Sequence, residues 1–392
     1  MQKLISIAEA EKLVMDSIPL AAVESVALAD AYGRVLRQNL CADRSIPPYD
    51  RVMMDGIAID SAEYHGIGSE FIYAGTQAAG SAALEKLLPN TCFEVMTGAV
   101  MPSGCDCVVP VEEISREGDS FILSPDADIS PNKFVHAEGS DAKQNEILVA
   151  TNSRLRHPEL AIAASIGQVD IEVSRLPLIH IITTGDEVID PSEAPESHQI
   201  RRSHPTALIS KIETEKLGRC VHVHLPDDEK DTEHQLQQSL QEADVIILTG
   251  GISKGKFDYV APCLKKLMGE PLFHGVRQKP GKPLAYWKNA SGTCIFALPG
   301  NPISVLATAT RYVFPALRAH LGLTITQQSR ELAGSFDWKA PLPGFLPVKS
   351  LENGNYEVVP FKNSGDYTCL VGIDGFIQVP DALEDNYYAF WS

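Results

Sequence analysis

Ile7, Ala10, Val14 and Ile18 recur at helical spacing near the start of the chain, and this pattern predicts an amphipathic helix. Ser6 and Glu9 have capping-box spacing at its start, and Pro19 stops it. Residues 24–40 carry alternating and short helical signals that fit a segment packed against that helix. From about 41 to 140 the texture changes. Short β-like runs such as 93–96 and 108–111 are separated by Gly, Pro, Asp and Ser, which predicts a β-rich region with long loops. Between 138 and 173 helix and strand signals return, including a helix over 157–166 after Thr151, Asn152 and Ser153.

The clearest pattern runs from 177 to 322. Apolar runs at 178–182, 220–225, 245–248 and 293–298 alternate with helical patterns at 203–217, 231–243, 258–268 and 303–320. Such alternation predicts a doubly wound parallel α/β sheet. The tail, 323–392, has short alternating runs such as 356–359 and 376–379 and reads as a small all-β domain. No internal repeat is visible. The expected division is 1–40 plus 141–176 as a discontinuous elongated domain, 41–140 as a β-rich domain, 177–322 as the α/β domain, and 323–392 as a C-terminal β domain.

Composition narrows the class. A chain of 392 residues exceeds one ordinary core, so several domains are expected. No run approaches the roughly 20 apolar residues that span a bilayer, and residues 1–10 lack a secretory pattern. A cytoplasmic location is expected. The eight cysteines form no CxxC pair. Cys105 and Cys107 read as a strand edge rather than a metal site. A net charge of −18 argues against nucleic acid and anionic membranes as partners. It also means that an anionic ligand needs a local basic patch or a bridging cation.

Both features occur in the loops that follow the predicted strands, where open parallel sheets bind ligands. The first loop carries Asp186 and Glu187, and the second Asp227 and Asp228. The third carries Thr249, Gly250, Gly251, Ser253, Lys254, Gly255, Lys256 and Asp258, and the last Pro299, Gly300, Asn301 and Pro302. A proline-stiffened turn, 277–283, adds Lys279 and Lys282. Glycines let backbone N–H groups approach an anion, and lysines act as point charges for phosphate. Carboxylates on the same rim repel phosphate unless a hard cation lies between them. Mg²⁺ resolves that conflict. Taken one at a time, Asp and Asn in such loops also serve as helix caps, Gly250-Gly251 matches neither common phosphate-loop spacing, and the lysine turn reads equally as solvated surface.

Together these runs are specific. TGGISKGKFDY at 249–259, KPGKP at 279–283 and LPGNP at 298–302 resemble successive motifs of the molybdopterin molybdenumtransferases, the family of bacterial MoeA proteins and the gephyrin E domain. PPYDRVMMDG at 47–56, MTG at 96–98 with PSGCD at 102–106, and TGDE at 184–187 resemble others. The resemblance covers nearly the whole chain, in order. It implies an elongated discontinuous domain, a β-rich domain, a molybdopterin-binding α/β domain and a C-terminal β-barrel-like domain. It implies a homodimer in which Asp55 and Thr97 of one copy complete a site built mainly by the other. The implied substrates are molybdate and adenylylated molybdopterin, with pyrophosphate cleavage and release of AMP. A molybdopterin adenylyltransferase and acceptor molybdoenzymes are the implied partners.

By position, Asp55, Thr97, Glu187, Asp227 and Asp258 carry over as active residues, with Glu187, Asp227 and Asp258 holding Mg²⁺. Gly250, Gly251, Ser253, Lys279, Lys282, Pro299, Gly300, Asn301, Pro302, Arg201 and Lys254 carry over as substrate contacts. Asp141 matches a family carboxylate and reads equally as a turn cap; Asp55 and Thr97 also read as turn residues before Gly56 and Gly98. The sequence departs from the family at 200–204 (IRRSH for IYDSN), at Lys254 for Val, at Val52 for Ser and at Ile57 for Tyr. Added positive charge fits tighter anion binding with less reliance on metal. It also fits a changed ligand, or a noncatalytic pterin-binding or scaffold paralogue.

Overall fold

The computed structural model describes residues 4–86, 88–251, 259–326, 328–334, 336, 338, 340–384 and 387–392. The chain divides into two compact units. One holds residues 1–37, 152–156 and 171–392, and the other residues 38–151 and 157–170. The stretch 141–176 is thus split between them.

In the first unit, the N-terminal helix is Ile7–Ser17, and both halves of its capping box form. Glu9 N–H donates to Ser6 Oγ at 3.2 Å, and Ser6 N–H donates to Glu9 Oε2 at 2.7 Å. Its apolar stripe, Ile7, Ala10 and Val14, is buried against one face of the α/β sheet.

That sheet has six strands in the order Arg219–Leu225, Leu178–Thr184, Val245–Thr249, Cys294–Leu298, Ala285–Lys288, Phe273–His274. The first four are parallel. The last two are antiparallel, so the sheet is mixed, not wholly parallel as the pattern predicted. The missed strands are two and four residues long, too short to show a period in the sequence. Alternation along each central strand builds two cores. Ile179, Ile181, Val245 and Ile247 face Leu208 and Ile212 of helix His204–Thr214. Ile182, Ile246 and Leu248 face Leu236 of helix Glu229–Glu242 and Leu264 of helix Val260–Met268. Helices thus cover both faces, as expected of a doubly wound domain. The predicted helix 303–320 is continuous but not uniform: Pro302–Thr308 and Phe314–His320 flank a wider π turn, Ala309–Val313.

The C-terminal region forms a five-stranded antiparallel sheet whose edge strands are Gln328–Glu331 and Tyr356–Val358. A bridge from Leu332 to Tyr356 joins those edges, which gives it barrel-like closure. Leu346, Val348, Ile377 and Val379 fill its interior.

The second unit holds a six-stranded, mostly antiparallel sheet, ordered Cys107–Pro110, Gly56–Ile59, Thr91–Val95, Glu70–Gln77, Ser120–Leu123, Ile114–Glu117. Ile57 and Ile59 face one core and Val52 and Ala58 another. All eight cysteines are free. Cys107 opens an edge strand, and burial raises its thiol to about 11. No helix among the described residues is long and apolar enough to cross a membrane.

Candidate functional site

The strand order places a switch point between Leu178–Thr184 and Val245–Thr249, because the chain leaves the first of these toward Arg219–Leu225 and returns on the other side. Loops diverge there and leave a crevice beyond the carboxyl ends of the strands. A cavity of about 670 Å³ opens at that place. Glu187, Asp227, Gly250, Gly251, Gly300 and Asn301 line it, so the structure brings four of the predicted loops together. Gly250 and Gly251 have φ of +97° and +69°, backbone that L side chains rarely adopt. A Cβ at Gly300 would lie 3.6 Å from Gly250 Cα, an ordinary contact.

The carboxylates crowd one another. Asp227 N–H donates to Asp186 Oδ1 at 3.1 Å, which ties the second loop to the first. Burial pushes the Asp227 carboxyl above its ordinary value, and the charges of Asp186 and Glu187 add to the rise. Asp228, by contrast, is a helix cap, accepting from Lys230 N and Asp231 N at 2.9 and 3.0 Å. Of the two neighbouring aspartates, only Asp227 lines the cavity. No three His, Cys, Asp or Glu side chains among the described residues hold a metal by themselves. Mg²⁺ needs fewer, because it keeps waters and binds through one or two carboxylates plus substrate phosphates.

Arg201, Arg202, Ser203 and His204 line another part of the cavity. The two arginines differ. Arg202 pairs with Asp190, whose carboxyl is held at about 2, first by Ser192 and then by Arg202. Arg201 donates Nε to Glu193 O at 3.0 Å and has no carboxylate partner among the described residues. Only Arg201 therefore offers unneutralised charge. Burial lowers His204 to about 4, so it is neutral at pH 7.

The turn 277–283 lies at the same sheet edge, since Ala285 pairs with Ala297 next to the end of the last parallel strand. Gln278 anchors it, accepting from the Tyr312 hydroxyl at 2.6 Å. Lys279 and Lys282 are exposed and have no acidic partner among the described residues. They do not line the cavity, and neither does Pro299. Ser253, Lys254, Gly255, Lys256 and Asp258 lie outside the described residues.

Sequence reasoning missed several contributors, Val188 among them. Thr183 lines the cavity and shares its hydroxyl with His222 Nε2 at 3.0 Å and His224 Nδ1 at 2.9 Å. Gly365 and Tyr367 reach it from the C-terminal region. The second unit holds Asp55 and Thr97, which form a hydrogen-bonded pair. Asp141 Oδ1 lies 2.8 Å from His136 Nε2, and Arg51 meets Nδ1 of the same ring at 2.8 Å. An arginine can only donate, so Nδ1 accepts and Nε2 carries the proton toward Asp141.

A mixed α/β sheet with an acidic, glycine-lined cavity at its switch point, a β-rich sheet and a closed C-terminal sheet together define a multidomain protein of the MoeA fold. The MoeA protein of Pyrococcus horikoshii OT3 has that fold, with a TM-score of 0.83 at 27% identity, covering 100% of this chain and 98% of that one. The family described as the MoeA N-terminal region (domain I and II) matches residues 5–167, and that of the probable molybdopterin binding domain matches 180–319. A molybdopterin molybdenumtransferase of Synechocystis is 36% identical over 384 residues, 96% of each chain. One from Staphylococcus aureus is 27% identical over 370 residues, covering 91% of this chain and 87% of that one. The chain belongs to the molybdopterin molybdenumtransferase family.

Proposed function

We propose that this protein inserts molybdenum into adenylylated molybdopterin, cleaving the pyrophosphate and releasing AMP, in the cytoplasmic synthesis of molybdenum cofactor. The observation that carries this reading is the pair of carboxylates Glu187 and Asp227 lining a glycine-lined cavity, with the charge of Asp186 close enough to raise the Asp227 carboxyl further. Three acids without a cation repel one another and any phosphate. Mg²⁺, when bound, would be held by Glu187 and Asp227, with Asp258 as the third ligand implied by the family, and would offset the negative charge of the pyrophosphate.

The chain's own groups supply the rest. Asp186 fixes the second acidic loop through its bond to Asp227 N–H. Gly250, Gly251 and Gly300 keep side chains away from the ligand, so backbone can approach it closely. Arg201 supplies a positive group on the cavity wall, and exposed Lys279 and Lys282 attract molybdate and phosphate at the same sheet edge.

Asp55 and Thr97 act from a second copy of the chain in a homodimer. Met53, Met96 and Val111 support this: the first two flank the pair in sequence, the third donates its N–H to Asp55 O, and all three large apolar side chains are exposed. A face of that kind is suited to burial in an interface. The noncatalytic pterin-binding or scaffold reading rests on the added arginines. The pairing of Arg202 with Asp190 weakens it, because half of that charge is already neutralised.

The test is AMP release from adenylylated molybdopterin by the purified protein, with molybdate and Mg²⁺ present or omitted. Release that needs both is expected. Tight binding by a folded dimer with no release would leave the pterin-binding reading in its place.

A further inference from the structure

Tyr367 and His204 are the only aromatic side chains among the described residues lining the cavity. Their ring centroids are 6.3 Å apart with an interplanar angle of 31°. That gap is too narrow to admit a third ring, since stacking on both sides needs about 7 Å. The pair instead forms one wall with an outer face, and Tyr367 stays 40% exposed.

The wall is held in place. The Tyr367 hydroxyl bonds Ser203 Oγ. Its loop is pinned to the sheet domain by Asn301 Nδ2 donating to Ser364 Oγ at 2.8 Å and Ile303 N–H donating to Ser364 O at 3.1 Å. Asp366 stiffens the loop further, accepting from Thr368 N at 3.1 Å and Thr368 Oγ1 at 2.6 Å. Neutral His204 adds no charge that would favour phosphate over a ring. A fixed, partly exposed aromatic face loses little entropy when it stacks.

We propose that Tyr367, backed by His204, is a stacking platform for the planar heterocycle of a phosphate-bearing ligand. This deepens the insertion reading and rests on it for the ligand class. That ligand has two such rings, adenine and pterin, and the platform recognises their shared flat π-face.

Calorimetric binding of AMP, free pterin and ribose 5-phosphate to the full-length protein tests it. Tyr367→Leu is expected to weaken at least one of the two ring ligands about tenfold and to leave ribose 5-phosphate unchanged. Loss confined to AMP assigns the platform to the adenosine end, and loss confined to pterin assigns it to the other. Tyr367→Phe keeps the ring without the Ser203 bond and is expected to retain ring binding. Equal weakening of ribose 5-phosphate, no weakening of either ring, or wild-type protein that binds neither ring overturns the proposal. These measurements need no turnover. Failure to release AMP would therefore count against the insertion reading and leave the platform standing.

Discussion

Thr97 donates both its backbone N–H and its hydroxyl to Asp55 Oδ1, each at 2.7 Å, across 42 residues of sequence. The backbone bond is the larger cause, and together the two hold the Asp55 carboxyl below its usual range. The group therefore stays ionised, with Oδ2 lacking any partner among the described residues. An exposed carboxylate fixed at one oxygen and free at the other is suited to meet something outside its own unit.

Asp55→Asn keeps an acceptor for both Thr97 bonds and removes only the charge. We expect the variant to melt within about 2 °C of wild type, as exposed substitutions do. AMP release should fall on the order of 10²-fold, the effect of losing one preorganised electrostatic contact. Differential scanning fluorimetry and a turnover assay read the two quantities. Wild-type turnover would remove Asp55 from the site.

A site shared between two copies makes a stoichiometric prediction. Asp55→Asn and Glu187→Gln should each be inactive alone. Unfolded and refolded together at equal concentration, they give mixed dimers in which one site of two carries neither change. About a quarter of wild-type activity should return, half of the dimers with half of their sites intact. No recovery from dimers shown to be mixed places both residues in one subunit's site or in none.

Asp227 links its own protonation to stability. Its carboxyl titrates above the ordinary 3.8. The folded chain therefore holds that proton more tightly than the unfolded chain does, and the associated stability is present below pH 3.8 and lost as pH rises through the raised value. Near neutrality the ionised group opposes the fold. Asp227→Asn should raise the melting temperature of metal-free protein by a small amount and abolish AMP release, and Mg²⁺ is expected to stabilise wild type but not the variant. A variant that still gains stability from Mg²⁺ would move the cation elsewhere.

His204 has the opposite sign. Burial lowers it from 6.5 to about 4. Between those values the unfolded chain binds a proton that the folded chain excludes, so stability is full above pH 6.5 and declines as pH falls toward 4. His204→Gln should flatten that decline in melting curves from pH 4 to 7. An unchanged slope would assign the decline to other buried histidines.

The three central strands of the α/β core were legible because they are buried on both faces and read as apolar runs, as at 178–182, 245–248 and 293–298. Ser6 and Glu9 were legible because a capping box is local. The site was legible as loops following those strands, and Glu187 and Asp227 do meet there. Tyr367 was not legible: it reaches the cavity through a loop stapled by Asn301 to Ser364, a contact between residues 63 apart that no periodicity encodes. Spacing alone could not separate Asp227 from Asp228; only the family resemblance picked out Asp227. That distinction depends on which carboxylate turns back to cap its helix. The pairing of Arg202 with Asp190 was hidden for the same reason, and it reverses the apparent meaning of one of the two arginines.

The glycine after Asp55 has a separate, structural reason. Gly56 pairs with Val95 on one side and Pro110 on the other. A Cβ there would lie 1.9 Å from Val109 O and 3.0 Å from Pro110 Cα. These are backbone atoms of the neighbouring strand, so no rotamer change relieves the clash and the pairing itself must shift. Val111 N–H donates to Asp55 O at 3.0 Å, so the same shift would carry Asp55 away from Thr97. Gly56→Ala should therefore destabilise the β-rich unit by about 1–3 kcal/mol or more, the range of overpacking in a well-packed core. Activity should fall with it. Urea unfolding followed by fluorescence, with limited proteolysis of 38–151, separates this from Asp55→Asn, which loses activity alone. An alanine variant with an unchanged urea midpoint would show that the strand pair yields at Val109 and that the glycine serves the chemistry directly.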